Sequence, residues 1–166
     1  MESLETLLSI ALGLSLAATC GLRAFLPLGM ISGLAAAGWM DLPAALEWMG
    51  SPVALLCFWT ATVAEMVGDK VPLVDHAMDI LGTAVRPAAG AIAGTALVAG
   101  ADPLVTCVFG LAGGAAVAGT THLGKAGLRA GSTGTTLGTG NTAISVVEDL
   151  ITLGIGGAAV AAATMM

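Results

Sequence analysis

The chain has 166 residues, of which 57% are hydrophobic and only 10% carry a charged side chain. Its mean hydropathy is +0.96, whereas about a quarter of the residues in soluble domains are charged. A soluble fold of this size could not bury so much apolar surface under a polar exterior, so composition excludes a soluble protein. The net charge of −6 offers no basic face, and no nucleic-acid partner is expected.

The length allows one domain, so residues 1–166 are predicted to form a single transmembrane domain. Its 24 glycines suit helices that pack closely in lipid, and the predicted fold class is an all-α, polytopic transmembrane bundle of five to six segments. The first residues include Glu2 and Glu5 but no Lys or Arg. The first apolar run is therefore interpreted as a retained span rather than a secretory signal.

This first apolar run extends from Leu4 to Trp39 and is interrupted by Arg23 and Pro27. A continuous helix of that length would measure about 50 Å, against a hydrocarbon core of about 30 Å. The first helix must therefore break. We predict one span near 4–22 and a shorter segment near 24–40, which is either a full span or a re-entrant half-helix.

The remaining spans are predicted near 52–68, 77–100, 104–121 and 142–163. Residues 122–141 are polar and rich in glycine, which favours a flexible connecting loop. An alternative is that their backbone N–H groups form an anion-binding nest. Trp39 and Trp48 suit a membrane interface.

Charge predicts the orientation. With the N-terminus outside a bacterial cytoplasmic membrane, the connections on the inner side carry the basic residues, as the positive-inside rule requires. The outer side then carries acids only, among them Asp41, Glu47 and Asp102. Six segments place both termini outside. Five segments require the first helix to enter from the opposite side.

Three polar stretches, at 65–79, 122–133 and 141–149, fall at this inner edge. Helical spacing places their polar residues on shared faces, as it does for His122, Lys125 and Arg129. The ion- or solute-binding candidates are Glu65, Asp69, Asp75, Asp79, Arg86, Asn141, Ser145, Glu148 and Asp149. The anion- or headgroup-binding candidates are Arg23, Lys70, His122, Lys125 and Arg129.

Charges inside the apolar zone are costly, so Glu65, Arg86 and Glu148 are expected to face the bundle interior. The alternative to a functional site is a set of structural clamps, such as Asp79 with Arg86 or Glu148 with Lys125. For Lys70 and Lys125 the alternative is anchoring of helix ends at lipid headgroups.

A metal site is a further alternative. Asp75, His76 and Asp79 offer oxygen and imidazole donors that suit Mn²⁺ or Zn²⁺. Their spacing matches no strong metal signature. No cofactor is therefore predicted, and a bound divalent cation stays open.

The polar stretches also carry a family resemblance. The pattern from Glu65 to Gly90, with the acids at 65, 69, 75 and 79 followed by Arg86–Pro87, resembles a bacterial membrane family defined as a domain of unknown function, DUF4126. "GLRAFLPL" at 21–28 is similar to another of its motifs, as are the polar residues between His122 and Asp149. The resemblance covers nearly the whole chain. It implies that the polar residues matter without implying an activity.

The functional prediction is a channel or secondary transporter for a small ion or solute, because ionisable groups beside a broken helix are a recurring design for such sites. One alternative is an accessory or assembly subunit of a larger membrane complex. Another is an intramembrane enzyme acting on a phosphorylated lipid, although the sequence leans against an enzyme. The expected partners are the lipid bilayer and either further copies of the chain or a membrane complex.

Overall fold

The computed structural model describes residues 2–98 and 100–166, with all their side chains except those of Glu2, Pro72, Leu73 and His76. Every regular element in these residues is helical and none is a strand, which confirms the all-α prediction. The elements are α1 (Glu2–Leu22), α2 (Phe25–Ala36), a 3₁₀ helix (Ala44–Gly50), α3 (Pro52–Gly68), α4 (Pro72–Val98), α5 (Pro103–Thr136) and α6 (Thr139–Ala163).

Four of these helices, α1, α4, α5 and α6, are long and apolar enough to cross a membrane. The 3₁₀ helix and α3 pass the same test together, as a pair bent by 72°. α2 has 12 residues. It is therefore about 18 Å long, well short of the ~30 Å hydrocarbon core. The chain is a multi-pass membrane protein, and its first helix is broken as predicted.

The distribution of side chains is inverted relative to a soluble protein. Large apolar residues lie on the outside, for example Leu56 at 70% exposure and Leu128 at 68%. The largest fully buried side chains are Arg23 and Arg86. This pattern is expected where the surrounding solvent is lipid and the polar groups must be satisfied inside the bundle.

α1 and α2 form a hairpin whose tip is the break at Arg23 and Ala24. After the hairpin tip, α2 leads the chain back to the end of the bundle at which α1 starts. At that end, one cavity of about 340 Å³ is lined by residues from distant parts of the chain, among them Ser9, Asp41, Gly100 and Met166. The two termini therefore lie at the same end. We call this the terminal end.

α4 and α5 approach closely through glycines. A Cβ added at Gly90 would overlap Ala118 and lie 2.5 Å from the Gly114 carbonyl oxygen. A Cβ at Gly94 would lie 2.5 Å from the carbonyl oxygen of Gly110. This packing of small residues aligns the polar residues that follow along the same faces of both helices.

The prediction of a flexible loop over 122–141 is wrong, because α5 continues to Thr136 and α6 begins at Thr139. Leu137 and Gly138 form the turn, with left-handed φ values of 54° and 87°. The hydroxyls in this part of α5 bond to the preceding helical turn, as Thr136 does to the Ser132 carbonyl at 2.7 Å. Within residues 122–136 the backbone N–H groups are used along α5, so these residues do not form the predicted nest.

α5 and α6 each contain a segment of wider π-helical turns, at Thr106–Gly113 in α5 and at Thr152–Gly156 in α6. Each ends beside a glycine that opens the next α-helical stretch. Such turns are uncommon and are often found at functional sites.

Candidate functional site

Charged side chains from all parts of the fold meet away from the terminal end. We call this group the charge cluster. It joins all five basic residues of the chain to six of its acids. Its members are Arg23, Lys70, Arg86, Lys125 and Arg129 together with Glu65, Asp69, Asp75, Asp79, Glu148 and Asp149.

Arg23, at the tip of the α1–α2 hairpin, has no exposed surface. Its guanidinium pairs with Asp69 and lies 2.6 Å from Asp149, and it donates to the Ser145 hydroxyl at 2.7 Å. The break between α1 and α2 thereby places a cation among residues from α6 and the α3–α4 connection. The hairpin is held at its tip by ion pairs.

Glu65, near the end of α3, caps α2 from outside that helix. Its carboxylate accepts hydrogen bonds from the backbone N–H groups of Ala24 at 3.0 Å and Phe25 at 3.2 Å. Ala24 has no side chain able to cap the helix itself. A carboxylate at a helix N-terminus satisfies unpaired donors and complements the helix dipole. Arg86 lies 3.5 Å from the same carboxylate.

Arg86 connects Glu65 to His122. It donates from Nη1 to His122 Nδ1 at 2.7 Å, while His122 Nε2 lies 3.4 Å from the hydroxyl of Thr83. A ring nitrogen that accepts from a guanidinium carries no proton, so these partners assign His122 as neutral. Gly82 makes room for this contact, because a Cβ there would lie 3.2 Å from His122 Cε1.

Asp69 lies within ion-pair distance of three of the five cations. It lies in the three-residue connection between α3 and α4, and its side chain is fully buried. Burial alone would raise the pKa of this carboxyl, but Lys125, Arg23 and Arg129 outweigh burial and hold the pKa below its usual value. Its Oδ2 carries these contacts, whereas its buried Oδ1 has no hydrogen-bond partner.

Arg129 has all three of its nitrogens engaged. Nη2 donates to Glu148 at 2.7 Å and to Asp69 at 3.1 Å, and Nε donates to Glu148 at 3.3 Å. Nη1 donates to Asp75. Lys125 pairs with the same Glu148 at 3.2 Å. The forked contact with Glu148 is the geometry that gives Arg–carboxylate pairs their strength.

Asp79 is the most weakly paired acid of the charge cluster. Its nearest cations are Arg86 at 3.6 Å, Lys125 at 3.8 Å and Arg129 at 3.9 Å. Its Oδ1 has no hydrogen-bond partner, and 18% of its side chain is exposed. Of the six acids, Asp79 therefore has the longest nearest ion pair.

Asp79 faces a cavity of about 570 Å³ between α4, α5 and the start of α6, which we call the polar cavity. Its polar lining comes from Asp75, Asp79, Arg129, Thr133 and Asn141, and alanines and Leu137 form an apolar wall. Asn141 donates to the Thr133 hydroxyl at 3.0 Å, and its buried Oδ1 has no partner. Small-molecule sites have volumes of this order.

The structure brings all nine candidates for ion or solute binding to this region. Ser145 binds Arg23 and Asn141 lines the polar cavity. The pairs considered as clamps are also present, with Asp79 3.6 Å from Arg86 and Glu148 3.2 Å from Lys125. The geometry therefore combines clamping contacts with an incompletely paired carboxylate.

The five headgroup candidates lie in two different environments. Lys70 is at the surface, with 41% of its side chain exposed. Arg23, His122, Lys125 and Arg129 are buried, and the three cations among them contact carboxylates. Their positions suit contacts within the bundle better than contacts with lipid headgroups.

Of the three metal candidates, only Asp75 and Asp79 have side chains in the described part of the structure. His76 has a side chain outside the described part of the structure. Within that part, no group of three or more His, Cys, Asp or Glu residues is placed to hold a metal ion.

Sequence reasoning missed several participants. Thr83 contacts His122, and the amides of Ala24 and Phe25 bind Glu65. Backbone amides carry no sequence signal. The break at "CGLRAFLP" was the only feature that could have indicated an exposed helix N-terminus.

The motifs that form this site extend over nearly the whole chain, and the family model for the domain of unknown function DUF4126 matches residues 10–166. The chain belongs to the DUF4126 family. Comparisons with curated proteins and with solved structures gave no match.

Proposed function

We propose that this protein is a secondary transporter of the bacterial cytoplasmic membrane that moves a small polar solute, with the polar cavity as its binding site. The observation that carries the proposal is that a cavity of about 570 Å³ opens onto Asp79, the least paired carboxylate of a buried charge cluster. An ionisable side chain within a membrane span is energetically costly, and such residues usually belong to functional sites.

Structural clamping alone explains the charge cluster less well. A clamp is most effective when every buried polar atom has a partner, because unpaired ones cost stability. Here Asp69 Oδ1, Asp79 Oδ1 and Asn141 Oδ1 are buried without a hydrogen-bond partner. These acceptors are available to a ligand or a proton.

The surplus charge supports coupling to protons or another cation. His122 is neutral by its hydrogen bonds, so six acids and five bases leave one uncompensated negative charge. In surroundings of low dielectric constant, uptake of one positive charge is favourable. Asp79 is the acid proposed to receive the coupling cation, since it has no ion pair shorter than 3.6 Å.

The fold also supplies parts that can move. The α1–α2 hairpin is attached to the charge cluster through Arg23 and Glu65, and discontinuous helices beside ionisable groups recur in transporters. The π-helical turns of α5 and α6 provide candidate hinges. Arg23 and Asp69 have no exposed side-chain surface, which favours a site that opens by helix movement over a permanently open channel.

The two alternatives have less support. An enzyme acting on a phosphorylated lipid needs cations to hold the phosphate, but Arg86, Lys125 and Arg129 already contact carboxylates. An accessory subunit would use its exposed apolar faces for assembly, and those faces are equally suited to lipid.

The test is transport by the purified protein in proteoliposomes that contain a pH-sensitive dye. Cationic, anionic, zwitterionic and neutral solutes of similar size are added outside, and internal pH and transient currents are recorded. We expect one class to drive a pH change that Asp79→Asn abolishes. The matched control, Asp41→Asn at the terminal end, retains it. The absence of current and pH change with all four classes overturns the proposal.

A further inference from the structure

We infer that the solute is a small aliphatic cation with primary ammonium groups, held in the polar cavity by Asp79 and Asn141. This inference depends on the proposed function, because it names the substrate class of the same site. The substrate class is inferred by separating the hydrogen-bonding groups of the cavity that already have partners from those that have none.

Two oxygens of the cavity residues have no hydrogen-bond partner. Asp79 has only long ion pairs, of 3.6 to 3.9 Å, and its Oδ1 has no hydrogen-bond partner. Asn141 directs its amide nitrogen to Thr133 and leaves a buried Oδ1 unpartnered. A ligand that satisfies both oxygens must bring N–H or O–H donors.

The cation of the cavity is not available to an anion. Arg129 uses Nη1 for Asp75, Nη2 for Asp69 and Glu148, and Nε for Glu148. An anionic solute would therefore face the carboxylates of Asp75 and Asp79 without a free guanidinium donor. Complementarity of charge and of hydrogen bonding both favour a cationic ligand.

The other residues that line the polar cavity indicate which class of cation it would bind. Quaternary ammonium ions are recognised by aromatic side chains, and no aromatic residue lines the described cavity. Ala126, Ala130 and Leu137 form an apolar wall suited to methylene groups. The volume of about 570 Å³ is that of a small-molecule site and far exceeds a bare ion. A short alkyl amine or diamine matches all three features.

The experiment is a binding series with four compounds of similar size on the purified full chain in detergent. The probes are butane-1,4-diamine, butane-1,4-diol, butanedioate and tetramethylammonium, at matched ionic strength. Binding is measured by calorimetry and by the ligand-induced rise in melting temperature. We expect the diamine to bind and the other three not to bind.

Two variants test the assignment of residues. Asp79→Asn should weaken diamine binding by about tenfold or more, the effect of losing a hydrogen bond to a charged group. Asp41→Asn should leave binding unchanged. Asn141→Asp adds a second carboxylate to the cavity and should tighten diamine binding, an effect that partial unfolding cannot imitate.

Binding of the diol or of butanedioate as tight as that of the diamine would overturn the inference, as would unchanged diamine binding in Asp79→Asn. The failures of the two proposals can be told apart. Flux of another solute class without diamine binding overturns the substrate class and leaves transport standing. Diamine binding without flux of any solute supports the assignment of the ligand and overturns transport.

Discussion

Arg23 and Asp69 are 46 residues apart and form an ion pair in which neither side chain has any exposed surface. Each lies in a break between helices, Arg23 between α1 and α2 and Asp69 between α3 and α4. The pair therefore joins two interruptions of the helical chain. In lipid, interrupted backbone persists only where protein groups satisfy it.

The contributions of Arg23 and Asp69 to stability should be coupled. Arg23→Ala leaves Asp69 buried with less compensation and should lower the free energy of unfolding by about 3–5 kcal/mol. The Arg23→Ala/Asp69→Ala double variant should lose less than the sum of the single variants. Unfolding in mixed micelles with increasing SDS measures all three. Lys70→Ala is the control. Because the Lys70 side chain is 41% exposed, this substitution should lower the free energy of unfolding by less than about 1 kcal/mol. Strict additivity would contradict the coupling.

The lowered pKa of the Asp69 carboxyl predicts how stability depends on pH. A carboxyl whose pKa is lower in the folded protein stabilises it above the unfolded pKa of about 3.9. This contribution is lost as pH falls through the folded value. The difference in melting temperature between the wild type and Asp69→Asn should therefore be largest near neutral pH and shrink below about pH 4. A difference that is independent of pH from 7 to 3 would be inconsistent with this assignment.

Glu65 should control the order of the α2 N-terminus. Glu65→Ala removes the acceptor of the Ala24 and Phe25 amides, so these amides should exchange hydrogen faster, by about tenfold for a loss near 1.4 kcal/mol. Glu65→Gln keeps one acceptor oxygen and should have a smaller effect. Hydrogen-exchange mass spectrometry of residues 20–30 measures this, and Glu47→Gln in the 3₁₀ helix is the matched control. Equal exchange in Glu65→Ala and the wild type would show that the cap is not needed.

Two glycine substitutions should have opposite effects. Gly90→Ala places a Cβ against the Gly114 carbonyl and should destabilise the α4–α5 contact by about 1–3 kcal/mol or more. Gly131→Ala lies in α5 with nothing within 4 Å of its Cβ and should stabilise the helix by about 0.5–1 kcal/mol. Melting temperatures of the two variants in the same detergent test this. A loss of stability at both positions would mean that the glycines serve something other than close packing.

The predicted orientation can be tested by labelling. In a background with Cys57 and Cys107 replaced by alanine, Glu47→Cys lies towards the terminal end and Gly131→Cys beyond the charge cluster. An impermeant thiol reagent added to intact cells should label Glu47→Cys and should reach Gly131→Cys only after the membrane is opened. The reverse order would place both termini in the cytoplasm.

The faces of the helices could be predicted from the sequence. His122, Lys125 and Arg129 share the buried side of α5, as their spacing indicates, and Asp75, Asp79 and Arg86 follow one stripe of α4. The high cost of lipid-facing charge required these side chains to face inward, and this requirement does not depend on fold details.

The pairing within the cluster could not be predicted. Each cation has several acids within reach, and only the packing of α1, α4 and α5 through Gly21, Gly90 and Gly94 decides which ones meet. The helix over 122–136 was missed because glycine and threonine have low helix propensity in water. In this fold, threonine hydroxyls bond back to their own helix, and the packed face outweighs the propensity.

The burial of nearly every basic residue has a consequence for biogenesis. The positive charges that orient a nascent membrane protein usually remain at the surface as helix anchors. In this chain only Lys70 does so, and the other four become internal partners of carboxylates. In the predicted orientation, the buried Arg23, Lys125 and Arg129 lie on the cytoplasmic side, so the same residues would guide insertion first and complete the folded interior afterwards. Neutralising one of them should cause two separable defects, a mixture of orientations in the newly inserted chain and a loosened bundle in the molecules that inserted correctly.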